Sequence, residues 1–425
     1  MRRYGIAPLT TISGGAEFLA SFDMRLVLPS VVSVEPVGDG GPVPPGPMVL
    51  GDWNQTGVQL QAAPGWNDGQ IPTLAADLST NPVEWTAAGQ TTSSIRVSAT
   101  FTQTDTGTLL DSEAFVPSGT SAGATCLVFR SDGNKIIAAV SVDGTSDQIG
   151  DIWVESGSTT SWDDSPDDTN YDINLDVDFD GDWSAVYTYT DAGTSENIVY
   201  AHLEDGVRSQ IATDGASSPL IVQGPRIAAD HINNDYMVFY GLDDGALRYS
   251  FNGAGSWGST GSVTPYASVS FPSAQREHFG AAAGNGIFVV SVWNFSGLAS
   301  QGPSFVWTDD GGATWSSRIY PFDGAAGVGQ RALHLSFSPD GDKLLAMMSH
   351  EDAGNPGRLT TYDWDGVTLT ENAGDNQTFT GLASDPVTVA SQDAFFGHID
   401  NNGDVYIAWW DISTETIYLN NSLDR

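Results

Sequence analysis

Positive charge is the scarcest thing in this 425-residue chain. Lys135 and Lys343 are its only ammonium groups, against 53 Asp and Glu, and the formal net charge is −38. A surface of that sign repels duplex DNA, RNA and anionic lipid, so nucleic-acid binding and membrane insertion are not expected. It suits solubility in a salty medium, where screening removes the self-repulsion. Cysteine is almost absent too. Cys126 stands alone, which excludes an intrachain disulfide, and its place in the apolar run Cys126-Leu127-Val128-Phe129 predicts a buried structural thiol. No stretch approaches the roughly 18 apolar residues of a membrane-spanning helix. Met1-Arg2-Arg3 is not followed by a continuous apolar region, because Pro8, Gly14, Gly15, Glu17, Asp23 and Arg25 interrupt Ile6 to Leu28. A secretory leader is therefore not expected. The six histidines are scattered without metal-ligand spacing, and there is neither a phosphate-cradling glycine loop nor a Gly-x-Ser-x-Gly elbow.

What the chain has instead is a recurring phrase. An apolar β run, a tight Asp/Asn/Gly turn, a second apolar β run, a loop and a third strand return at intervals of roughly 50 to 60 residues. The turns are Ser131-Asp132-Gly133-Asn134, Asp180-Gly181-Asp182, Asn233-Asn234-Asp235, Gly284-Asn285-Gly286, Asp340-Gly341-Asp342 and Asn401-Asn402-Gly403-Asp404. No long apolar stripe with helical period accompanies them. A strand-built repeat of this length predicts an all-β fold, a β-propeller of six blades, or of seven if the region before the repeats supplies another.

Four regions follow. Residues 1–35 form a short arm, too small for a core of its own and suited to docking. Residues 36–50 are a Pro/Gly linker. Residues 51–122 are β-rich but irregular, either an extra blade or a lead-in, and residues 123–425 carry the repeats. The sixth repeat ends after its third strand while earlier ones carry a fourth, such as Ser317 to Pro321. A ring must protect its edges, so the missing outer strand is expected from residues before Thr125.

One turn is more specific. Thr308-Asp309-Asp310-Gly311-Gly312-Ala313-Thr314-Trp315 matches the Asp-box pattern at every defined position: Thr308, Asp310, Gly312, Thr314 and Trp315. Ser250-Phe251-Asn252-Gly253-Ala254-Gly255-Ser256-Trp257 is a degraded copy. On these residues the chain resembles the sialidase-like propellers over about residues 123–425. The resemblance implies a turn between the third and fourth strands of a blade, with the carboxylate accepting backbone N–H groups and the Trp packed between blades. Asp-boxes are structural and say little about activity.

Three Arg stand just before inner strands: Arg226, Arg276 and Arg331, with Gln275 and Gln330 directly before the last two. Guanidinium forks suit carboxylate or phosphate, and catalytic sialidases converge three Arg on a substrate carboxylate. A bland alternative is that each Arg pairs with a neighbouring blade's Asp. Glu277 adjoins Arg276, Gln392 and Asp393 hold the same place in the sixth unit, and Tyr171 does so in the second. With Asp393 where the ring could offer a tyrosine nucleophile, the pattern departs from the catalytic one. Asp176 to Asp182 superficially resembles a calcium loop, but Tyr187 stands where that loop needs Glu, so no cofactor is expected, with calcium the alternative. The reading that gathers these features is a non-enzymatic, extracellular propeller on a virion surface (tail fibre, spike or head decoration). Its arm docks on virion structural proteins, and its ligand is a host-surface glycan bound by Arg226, Arg276, Arg331, Glu277, Gln392, Asp393 and Tyr171. A sialidase-type exo-glycosidase and a scaffold without a specific ligand are the alternatives.

Overall fold

A computed structural model describes the blade strands between Val49 and Leu423 and most turns at one end of the molecule; residues before Val49 and most longer loops at the other end lie outside the described residues. Contacts divide the chain into Met1–Pro45 and Gly46–Arg425. The second unit is a seven-bladed β-propeller. Its seven antiparallel sheets start from the inner strands Thr73–Asp77, Ala124–Phe129, Thr169–Val177, Arg226–Ala229, Phe279–Ala283, His334–Phe337 and Phe395–Ile399. Each inner strand lies beside the next, and the seventh lies beside the first, so the ring closes. Seven is the larger of the two counts the sequence left open. The additional blade is built by Thr73–Asp77, Glu84–Gln90, Arg96–Thr102 and Glu113–Phe115.

Side-chain alternation along each strand makes the core a set of seams between blades rather than one central mass. On Trp183–Thr190 of blade 3, Trp183, Ala185, Tyr187 and Tyr189 join Ile136, Ala138 and Ile152 of blade 2. The intervening Val186 joins Ile227, Val238 and Tyr240 of blade 4. The closing seam is equally apolar, with Leu74, Trp85 and Ala87 of blade 1 against Ala408, Ile417 and Leu419 of blade 7. Burying one such large side chain contributes about 1.5–3 kcal/mol.

Blade 7 is assembled from both ends of the described chain. Its third strand, Thr416–Leu423, pairs antiparallel with Val49–Leu50 (Val49 opposite Leu423) and with Val58–Gln59 (Val58 opposite Ile417). Gly107–Thr108, from the connection between the outer strands of blade 1, adds parallel to Val58–Gln59. Blade 5 departs from expectation at its rim. Its sheet has three strands, and Ser317 to Pro321 makes one bridge, Phe305 to Ile319, instead of a fourth strand.

Backbone pairing ties the two ends of the described chain together at blade 7, so removing the pairing segments should weaken the ring. Deleting residues 1–60 exposes the edge of Thr416–Leu423, whereas deleting residues 1–45 leaves every described strand. The longer deletion is expected to lower the thermal midpoint and promote aggregation through the bared edge, relative to the shorter one. Equal midpoints for the two would count against a closing role for Val49–Gln59.

Candidate functional site

An inner strand has a partner along its outer edge only. Its other edge presents N–H and C=O groups toward the axis, and these need partners if water is excluded. Here side chains of the neighbouring blade supply them. Asn174 Oδ1 accepts from Ile227 N at 3.0 Å and Asp176 Oδ2 from Ala229 N at 2.8 Å, joining blade 3 to blade 4. Ser291 Oγ donates to Leu333 O at 2.9 Å between blades 5 and 6. The backbone there comes so close that a Cβ on Gly280 would sit 2.3 Å from the same carbonyl. His334 Nε2 lies 3.0 Å from Gly397 O and 3.3 Å from Gly397 N, joining blades 6 and 7. Cys126, half-buried, reaches Leu175 O at 3.8 Å.

The repeated Asp/Asn/Gly turns carry a second set of joints. Asn234 Nδ2 donates to Asp180 Oδ2 at 2.6 Å, Gly286 N to Asp230 Oδ2 at 3.1 Å, Asn285 Nδ2 to Asp342 Oδ1 at 3.2 Å, and Asp340 N to Asn401 Oδ1 at 3.0 Å. Asp178 and Asp230 are buried; Asp178 accepts from Asp182 N and from the Tyr236 hydroxyl of blade 4. In blade 2 the corresponding place holds Arg130, which forks onto Glu204 of blade 3. The acidic residues at this end are thus engaged in the fold. Asp176, Asp178 and Asp182 take part in these backbone joints, and no metal-holding cluster of His, Cys, Asp or Glu occurs among the described residues.

The Thr308–Trp315 turn is a third joint. Asp310 Oδ1 accepts from Thr314 N at 2.9 Å and from Thr308 Oγ1 at 2.8 Å, and Oδ2 accepts from Thr314 Oγ1 at 2.7 Å. Burial raises the Asp310 pKa, but these hydrogen bonds outweigh it and hold the carboxyl below its ordinary value. Gly312 has φ +94°, and a Cβ there would fall 2.3 Å from the Tyr249 ring. Tyr249 Oη donates to Gly312 O at 2.7 Å, and Trp315 packs on Tyr249 with ring centroids 5.4 Å apart. Blade 5 is clamped to blade 4 by this turn. In the degraded copy Trp257 likewise packs against the apolar seam between blades 3 and 4.

The candidate binding end is the opposite one, where the inner strands begin. Arg226 opens the inner strand of blade 4, half-buried, and its Nη1 donates to Pro225 O at 3.1 Å and Gly224 O at 3.4 Å. Tyr171 lies in the inner strand of blade 3, at a register shift between Asn170 and Asp172. Arg276 and Arg331 each precede, by three residues in sequence, the inner strands of blades 5 and 6, Phe279–Ala283 and His334–Phe337. Arg276, Glu277, Arg331, Gln392 and Asp393 lie outside the described residues. Other arginines serve the scaffold: Arg318 donates to Pro265 O and stacks 4.9 Å from the Tyr266 ring, and Arg208 lies 4.2 Å over Tyr200. Asn174 was not singled out in the sequence, Asp176 was read there only as part of a calcium-like loop, and Tyr236 and His334 were not singled out. Polar residues alternating with Ile173, Leu175 and Val177 were the available signal for the first two.

No protein-family model matches the chain, and no curated protein matches it. Similar solved structures include the α-L-arabinofuranosidase Arb93A from Fusarium graminearum, 10% identical over 77% of this chain and 98% of that one, TM-score 0.42. AofleA from Arthrobotrys oligospora is 9% identical over 71% and 86%, TM-score 0.40. The six-bladed Aleuria aurantia lectin is 12% identical over 73% and 96%, TM-score 0.39. At such scores these likenesses carry no argument, and the fold stands on sheet order and ring closure.

Tyr236→Phe removes a buried hydrogen bond to Asp178, and Asp230→Ala strips acceptors from Gly286 N and Ile232 N. Each is expected to destabilise the propeller by about 1–3 kcal/mol, read by denaturant unfolding. Asn402→Ala, at an exposed turn tip whose side chain makes only a long contact within its own turn, should change stability by less than about 0.5 kcal/mol.

Proposed function

We propose that the chain is a non-enzymatic display protein of a virion surface whose propeller binds a host-surface glycan. The carrying observation is the alignment of Arg226, Arg276 and Arg331 with three consecutive inner strands, those of blades 4, 5 and 6. In sequence all three stand at or shortly before the starts of these strands, and the strands begin at the end opposite the Asp/Asn/Gly turns that join blades. Guanidinium groups so placed suit a sugar carboxylate, and each charge-assisted contact is worth about 1.5–3 kcal/mol. Within this reading Glu277, Gln392, Asp393 and Tyr171 flank the ligand and hydrogen-bond its hydroxyls, and residues 1–35 attach the body to other virion proteins.

The test is a glycan array probed with the full chain and with Arg226→Ala, Arg276→Ala and Arg331→Ala. Binding of carboxylate-bearing glycans, weakened about tenfold or more by each change, is the expected result. Turnover of fluorogenic sialosides, lost in the same variants, would replace the binding reading with a sialidase-type exo-glycosidase. No hits on the array would leave a scaffold. Recovery of the protein from purified virus particles tests the virion assignment separately.

A further inference from the structure

A buried carboxylate opens the connection that leads to Arg226. Asp214 directly follows Ser209–Thr213, the outermost strand of blade 3. Its Oδ1 accepts from Asn197 N at 2.7 Å, and its Oδ2 accepts from Asn197 Nδ2 at 2.9 Å and from Ile221 N at 2.8 Å. Asp214 N in turn donates to Asn197 O at 3.0 Å, and Thr190 Oγ1 donates to Asn197 Oδ1 at 2.7 Å. Three strand ends of blade 3 are thus gathered here, and the bond to Ile221 reaches out of them into the connection. Further along, Gly224 takes φ +90°, and the Arg226 guanidinium folds back over this bend, its Nη1 donating to Gly224 O and Pro225 O. We propose that Asp214 is a positioning residue for the candidate site: by fixing the connection at Ile221, its carboxylate sets the bend that holds the Arg226 guanidinium ready for a ligand carboxylate. The ligand half of this statement rests on the glycan-binding reading above; the positioning half stands without it.

Packing alone does not account for a carboxylate at this place. Ile221 is already buried in the seam with Val199, Ile227, Val238 and Tyr240, and it bridges to Leu242 of blade 4. Apolar contact has no preferred direction, so it leaves the connection free to slide along the seam. A backbone N–H aimed at a fixed oxygen does not. Burying a carboxylate is costly unless hydrogen bonds meet it, and here Asn197 N, Asn197 Nδ2 and Ile221 N all do. Every group it faces in these bonds is a donor. An amide side chain of the same shape would turn its own NH2 toward one of them, which is why Asp and not Asn suits the position.

Arg226 gains from the arrangement because a long side chain that must be ordered on binding costs affinity, and a preset bend removes part of that cost. Asp214 itself bonds to the strand ends of blade 3 and to Ile221. Its effect on a ligand therefore passes through Arg226, which separates it from a group that touches the ligand.

The test measures sialyllactose affinity for the full chain, for Asp214→Asn, for Arg226→Ala and for the double variant. Tyr236→Phe serves as the control for lost stability, since its bond to Asp178 lies at the end of the Asp/Asn/Gly turns. Asp214→Asn is expected to weaken binding about two- to tenfold, to add nothing in the Arg226→Ala background, and to differ from Tyr236→Phe, which keeps its affinity. The same further loss in both backgrounds would make Asp214 a purely structural residue and overturn the proposal. Two readings need no ligand. The Ile221 amide should exchange slowly in the unmodified chain and faster in Asp214→Asn. Relaxation of the Arg226 Nε–H should report an ordered side chain in the unmodified chain and in Tyr236→Phe, and a mobile one in Asp214→Asn. Rapid Ile221 exchange in the unmodified chain, or equal Arg226 order in Asp214→Asn, overturns the positioning. Absence of sialyllactose binding by the unmodified chain tells against the glycan reading instead, and the two ligand-free readings then decide the role of Asp214.

Discussion

A sheet that stops at an axis leaves a row of backbone donors and acceptors without strand partners, and the arrangement of this protein follows from how that edge is satisfied. Asn174 and Asp176 serve the inner edge of blade 4, and His334 serves that of blade 7. A buried backbone group left alone costs about 1–3 kcal/mol. Seven blades therefore cannot simply stack through apolar seams. Each must also present a polar side chain, or a turn, to its neighbour at the correct height.

This constraint explains the composition. The Asp, Asn and Gly that recur in the turns do two jobs at once. Within a turn they reverse the chain, as where Asp230 accepts from Ile232 N and Gly341 adopts φ +72°. Between turns they join blades, as where the same Asp230 accepts from Gly286 N. Short polar side chains and positive-φ glycines are needed at both tasks, so lysine and glutamate have little place there. The strongly acidic balance is in part a by-product of a joint chemistry that uses carboxylates to accept backbone N–H groups.

The turn phrase made the propeller legible in the sequence, because strand, turn and strand recur with a spacing that only a ring of small sheets uses. The Thr308–Trp315 turn was legible residue by residue, since every side chain in it satisfies a local need. What escaped was whatever depends on the neighbouring blade. Blade 1 carries the turn Leu78 to Val83 rather than the Asp/Gly phrase, so its strands did not register as a repeat, although they pair as regularly as the others. Asp176 looked like part of an ion loop, yet its partner is Ala229, fifty-three residues on. His334 was one of six scattered histidines until Gly397 came beside it. Arg226 illustrates the opposite limit: the repeat position marked it, while its bonds to Gly224 O and Pro225 O depend on a local bend that no spacing reveals.

Ring closure is the claim on which the blade joints and the binding end both rest. The most direct measurement is a crystallographic determination of residues 46–425 at side-chain resolution. Seven sheets with Phe395–Ile399 lying beside Thr73–Asp77, and with Val49–Leu50 and Val58–Gln59 paired to Thr416–Leu423, is the predicted result. Six sheets, or an array left open between the first and last, would contradict it.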